Sequence, residues 1–165
     1  MESYSIGKIY KQMRGSMEKV EWRSLVWKNV GAPKWLFIMY LAVNGRLATK
    51  DRLAKWGVIQ SLECPLCLMK NEDLDHLFFQ CPYTAEVWRK VLTWQGINRS
   101  TMHWTTEVQW AGKYMKGRSS TTLVYKLAMA SSVYHLWLER NSRIFTQKKQ
   151  QTNTIVRYII QEVHG

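Results

Sequence analysis

Residues 64–81 read CPLCLMKNEDLDHLFFQC, and the rest of the chain is best read outward from them. They hold every cysteine of the 165-residue chain, Cys64, Cys67 and Cys81, with His76 between the last two. The spacing is Cys-x2-Cys-x8-His-x4-Cys. Two thiols two residues apart form a knuckle that aims both sulfurs at one point, and Pro65 helps fix the turn. A secreted disulfide framework would use an even number of cysteines spread along the chain. An odd trio beside a histidine instead fits metal ligation in a reducing compartment. Four N or S donors with none to spare describe a closed, tetrahedral zinc site. The plainer alternative is three buried free thiols and a core histidine, but ordinary cysteine burial does not produce this spacing. A catalytic zinc would keep a water position and need a base, for which Glu63 or Glu72 would serve. Three thiolates leave the ion a poor Lewis acid with no vacant site. One structural Zn2+ and no catalytic residue are therefore expected.

Outward from this stretch the signals are helical. On the N-terminal side, Ser5 caps a first helix with Ile6, Ile9, Tyr10 and Met13 on one face and Gly15 as its stop. The stretch 20–28 carries Val20, Leu25 and Val26 and is broken by Gly31-Ala32-Pro33. Pro33 suits the first turn of a helix reaching about Asn44. Apolar on nearly every side, from Trp35 to Leu41, that helix is expected to be the central buried one. Gly45 fits its left-handed C-terminal position, and Thr49 caps a short helix, Lys50–Trp56. Residues 58–72 read as a loop or short hairpin, and 73–80 as one or two helical turns. Glu72, Asp73 and Asp75 suit the positive end of those turns. On the C-terminal side, Thr84 caps a helix carrying Val87, Trp88, Val91, Leu92 and Trp94, stopped by Gly96. Further helices are expected over about 106–116, 121–145 and 153–163. In the long one, Leu123, Leu127, Tyr134, Trp137 and Leu138 recur at helical spacing. The fold class is thus mainly α, an irregular helical domain with an embedded CCHC zinc knuckle. A change of character after Gly96 divides it into residues 4–95, the zinc-binding domain, and 96–165, a helical extension.

Composition bounds the partners. Apolar residues make up 46% of the chain, enough for a core. Lys and Arg number 24 against 12 Asp and Glu, a net charge of +12. Three thiolates and one dication would bring it to about +11. Such a surplus favours polyanions, although a lysine-rich soluble surface is the simpler explanation. No signal peptide is visible in residues 1–15, and the longest apolar stretch, 35–43, is far short of the roughly 20 residues a membrane span needs. The expected protein is intracellular, in nucleus or cytoplasm, not secreted and without membrane contact.

Several runs together resemble a known family, the zinc-binding domain that follows reverse transcriptase in plant non-LTR (LINE-type) retrotransposons. They are Val26-Trp27-Lys28, Pro33-Lys34, the run from Gly45 to Leu53, Cys64-Pro65-Leu66-Cys67, Glu72-Asp73, the run from Asp75 to Pro82, and Val87-Trp88. Tyr4-Ser5-Ile6 resembles the family's entry, and the run from Trp137 to Phe145 the helix that often follows it. The resemblance implies the same four ligands, Cys64, Cys67, His76 and Cys81. It also implies a non-catalytic accessory module of a retroelement polyprotein. Three positions depart from the pattern: Ala48 for a common proline, Tyr40 for a common tryptophan, and Leu68 for a frequent glycine. The chain has no reverse-transcriptase Asp-Asp pair and ends before any RNase H start. It reads as a fragment or a stand-alone descendant of such an element.

Two basic groups are candidate nucleic-acid contacts, with RNA or DNA as partner. Arg46, Lys50, Arg52 and Lys55 crowd one short helix and the turn before it, where phosphate contact and a solvated face fit equally well. Arg140, Arg143, Lys148, Lys149 and Arg157 form a stripe over 140–161 without an acid. Trp56 and Trp104, each beside a break, are candidates for stacking on bases, although core packing is the commoner fate of tryptophan. His103, His135 and His164 have no second ligand at useful spacing. Ser119-Ser120 and Ser131-Ser132 lack a nucleophile's partners, and no glycine loop points to a small-molecule substrate. A reverse-transcriptase domain is a further possible partner. A protein-interaction or relic scaffold that binds no nucleic acid stands as the alternative reading.

Overall fold

The structure, a computed structural model, describes residues 22–165. The expected first helix and Tyr4-Ser5-Ile6 lie outside the described residues. Seven α-helices are described: α1 Arg23–Val26, α2 Pro33–Val43, α3 Lys50–Lys55, α4 Pro82–Trp94, α5 Trp104–Tyr114, α6 Ser120–Phe145 and α7 Thr152–His164. Between α3 and α4 lie a hairpin-like loop and a wide turn, His76–Gln80. The mainly helical class is as expected.

The punctuation residues act as the sequence implies. Pro33 opens α2, and Gly45 follows it at φ +63°, with the Arg46 amide returning to the Leu41 carbonyl. Only glycine adopts that left-handed conformation at no steric cost. Two helix starts differ from expectation. α4 begins at Pro82 with Cys81 as its N-cap, because proline fits the first helical position; Thr84 lies inside the helix and donates to the Cys81 carbonyl. α5 begins at Trp104, because Asp75, 30 positions earlier, accepts from both the amide and the hydroxyl of Thr105.

The central helix is α6, not α2. Helix α2 buries only Trp35, Met39 and Ala42, and Phe37 is 61% exposed. Helix α6 packs against α2, α4 and α7. Its buried seam runs Tyr125, Ala128, Met129, Ser132, Val133, Leu136 and Arg140. Of the apolar residues singled out in the sequence, Trp137 alone is buried, while Leu138 is exposed. The small side chains Ala128, Ala130, Ser131 and Ser132 let neighbours close in from several sides, and a count of large apolar residues overlooks them.

Residues from both sides of position 95 share one core. Trp88 stacks on Phe79 with centroids 5.0 Å apart and meets Tyr125 of α6 edge-on. Trp104 packs on Phe78 and Phe79. No helix among the described residues is long and apolar enough to cross a membrane.

Candidate metal centre and nucleic-acid interface

The loop carrying Cys64 and Cys67 is a minimal hairpin. Glu63 and Asn71 form an isolated antiparallel bridge, the Cys64 amide donates to the Lys70 carbonyl, and the Glu72 amide donates to that of Leu62. The Leu68 amide closes the knuckle on the Cys64 carbonyl. Leu68 itself sits at φ +57°, in the left-handed region that favours glycine. After the hairpin, the Asp73 carboxylate accepts from the His76 amide, capping the turn that follows. That turn is wide: the Cys81 amide reaches back to the His76 carbonyl, and Phe78 and Phe79 leave helical geometry. The distortion brings two side chains five positions apart to one side, where a regular helix would splay them.

The donor atoms of Cys64, Cys67, His76 and Cys81 all lie within 4.8 Å of one another. Cys67 Sγ is 3.3 Å from His76 Nε2, so this is the inward-facing nitrogen. Zinc–sulfur bonds of about 2.3 Å give tetrahedral edges of about 3.8 Å. One ion can therefore reach all four donors. All but the half-buried Cys67 are buried. The hydrogen bond to Cys81, then burial, raises the Cys64 thiol above its ordinary pKa, and the same bond lowers Cys81. Burial lowers His76, favouring the neutral imidazole a metal needs. Structural zinc supplies cross-linking, joining the hairpin to the start of α4.

The loop is gripped from behind by α6. Arg140 donates from Nε to Glu72 Oε2 at 2.9 Å and from Nη2 to Oε1 at 2.6 Å, with both side chains buried. Glu72 Oε1 also accepts from the Lys50 amide at the start of α3. Arg143 donates to the Leu66 carbonyl inside the knuckle at 3.1 Å, pairs with Glu139, and lies 4.5 Å from the Tyr83 ring centre. These contacts correct two expectations. Arg140 and Arg143 leave the basic stripe, because each is already paired within the fold. Glu72 is not a helix-end anion but the buried partner of Arg140.

The other basic residues remain near solvent. Arg46, Lys55, Lys148, Lys149 and Arg157 are exposed, and Lys50 and Arg52 half-buried. The amide at the start of α3 meets Glu72, so this helix end offers phosphate no free Lys50 amide. Thr49 donates its hydroxyl to Asp51 and makes no side-chain cap. Arg52 donates to the carbonyls of Gly45 and Leu47, and its guanidinium lies 4.9 Å from the Trp56 ring centre. Trp56 is 59% exposed, whereas Trp104 is buried and cannot stack on a base. His103 bonds Thr106, and His135 bonds Glu162 at 2.9 Å. Ser131 and Ser132 are buried without a hydroxyl partner among the described residues.

Sequence reasoning missed the Glu72–Arg140 pair. Its members are 68 positions apart, and no local spacing links them.

Residues 4–88, a little over half of the chain, match the family described as zinc-binding in reverse transcriptase. No curated protein and no solved structure matches the chain.

Proposed function

The chain belongs to the family of zinc-binding domains in reverse transcriptase, and from that premise we propose a non-catalytic accessory module held in shape by one zinc at Cys64, Cys67, His76 and Cys81. Its exposed cations engage RNA or DNA. Residues 4–95 carry the zinc-binding unit, and residues 96–165 the helical extension that grips it. The origin is a plant LINE-type element, and the site of action the nucleus or cytoplasm. The observation that carries the nucleic-acid reading is the Trp56 platform. An exposed indole is backed on one side by the anchored Arg52, with Arg46 and Lys55 nearby in sequence and exposed. Stacking of a base on such a ring is worth about 1–3 kcal/mol and tolerates any sequence. Filter binding of single-stranded RNA and DNA at two salt concentrations tests it. Affinity is expected to fall steeply with salt, and Trp56→Ala to weaken single-strand binding about tenfold. No binding at low salt rejects the reading.

A second reading, docking to a reverse-transcriptase domain, is favoured by the exposed side of α2. Val26, Trp27, Leu36, Phe37 and Tyr40 line a cavity of about 320 Å³ there. Pull-down by that domain, lost on Phe37→Asp, supports it; equal capture of both forms rejects it.

A further inference from the structure

We propose that Lys28, Arg118 and Lys126 form a binding pocket for a phosphate group. They line a cavity of about 360 Å³ between the segment after α1, the turn before α6 and the first turns of α6 itself, with Val30, Gly117 and Leu123 completing the wall. No carboxylate of the described residues lines it. None of the three cations makes an ion pair among the described residues, although Arg99, Arg140 and Arg143 elsewhere all do.

Lys126 is the decisive member. It stands next to Tyr125 of the buried seam of α6, and the residue as a whole is 3% exposed. Among the described residues nothing accepts a hydrogen bond from its ammonium; Asn29, its near neighbour, donates to its main-chain carbonyl instead. The Lys126 ammonium faces the cavity, partly desolvated and beside Lys28 and Arg118, and cations crowded in this way are ordinarily paired with an anion. Burial and the charge of Lys28 lower its pKa, the opposite of what a resident carboxylate would do. A phosphate group would supply the missing acceptors to all three cations. The first turn of α6 adds a favourable field, because it holds no acidic residue and presents the positive end of a 26-residue helix.

This pocket is distinct from the Trp56 platform, and inorganic phosphate alone can test it. The zinc-loaded full chain would be melted in phosphate and in chloride of equal ionic strength. Phosphate also stabilises proteins non-specifically, so the readout is the difference between wild type and Lys126→Met. At tenfold excess over Kd, wild type is expected to gain about 3–6 °C beyond the gain of the variant. In chloride the variant should melt no lower than wild type, since it removes one of three mutually repelling charges. If Lys126→Met does not fold, the exposed pair Lys28→Gln and Arg118→Gln takes its place, and should lose the same phosphate-specific gain. Equal gains in wild type and variants overturn the proposal. A second arm identifies the source of the phosphate. Loss of single-stranded oligonucleotide affinity in the variants, with a salt slope shallower by about 1, assigns it to a nucleic-acid backbone. A specific gain in inorganic phosphate with unchanged oligonucleotide affinity assigns it to a free phosphate or nucleotide. Absence of oligonucleotide binding in wild type would reject the nucleic-acid reading while leaving the pocket standing.

Discussion

Leu68 stands where glycine is frequent in the family the sequence resembles, and its backbone takes glycine's conformation all the same. A non-glycine residue in the left-handed region costs about 1–2 kcal/mol. Its side chain is 58% exposed, so little packing would be lost by removing it. Leu68→Gly should relieve the strain, against a smaller entropic penalty in the unfolded chain. A net stabilisation of about 0.5 kcal/mol is expected, read as a higher urea midpoint at unchanged slope. Leu68→Val, β-branched at a positive φ, should instead lower the midpoint. At this scale the sequence was informative. The departure was visible at one position, and the ligands were legible because the chain has no other cysteines. Arg140 was misread for the converse reason. A cation looks the same in a string whether water or a buried carboxylate faces it.

Helix α6 and the zinc hairpin form one mechanical unit through two arginines. Arg140→Ala would leave the Glu72 carboxylate buried and unpaired, at a cost of about 3–5 kcal/mol. Replacing both members with apolar residues, Glu72→Leu with Arg140→Leu, should recover most of that loss. Urea unfolding of the two single variants and the double variant measures the coupling. A double variant as unstable as the sum of the singles would contradict the pairing. Elements were legible where punctuation marks them, as at Pro33, Gly45 and Gly96. They were misjudged where rank mattered. Helix α2 has the more apolar string, yet α6 is central because its alanines and serines admit close neighbours.

The described residues share one core, and the family match ends at residue 88 within α4. Trp88, Val91 and Leu92 are fully buried, and Tyr125 of α6 covers part of that surface. A fragment ending at residue 96 should therefore expose them and aggregate, whereas the full chain stays monodisperse in gel filtration. Chelation tests the metal at the same scale. Structural zinc contributes apparent binding energy on the order of 10 kcal/mol, so its removal should collapse the near-UV circular dichroism of the packed tryptophans. An unchanged spectrum would deny the ion its structural part. Three-dimensional arrangement at this scale was the least legible, since the contacts that join the halves have long sequence separations.

Arg143 and the Leu66 carbonyl are 77 positions apart. At synthesis rates of about 5–20 residues per second, the knuckle is made roughly 4–15 s before its clasp. During that interval zinc can hold the knuckle closed, and the metal becomes a placeholder for a helix not yet translated. Zinc supplied during translation should then yield more folded protein than the same zinc added after release. Arg143→Ala should widen that difference, because the late clasp can no longer rescue chains that missed the early one.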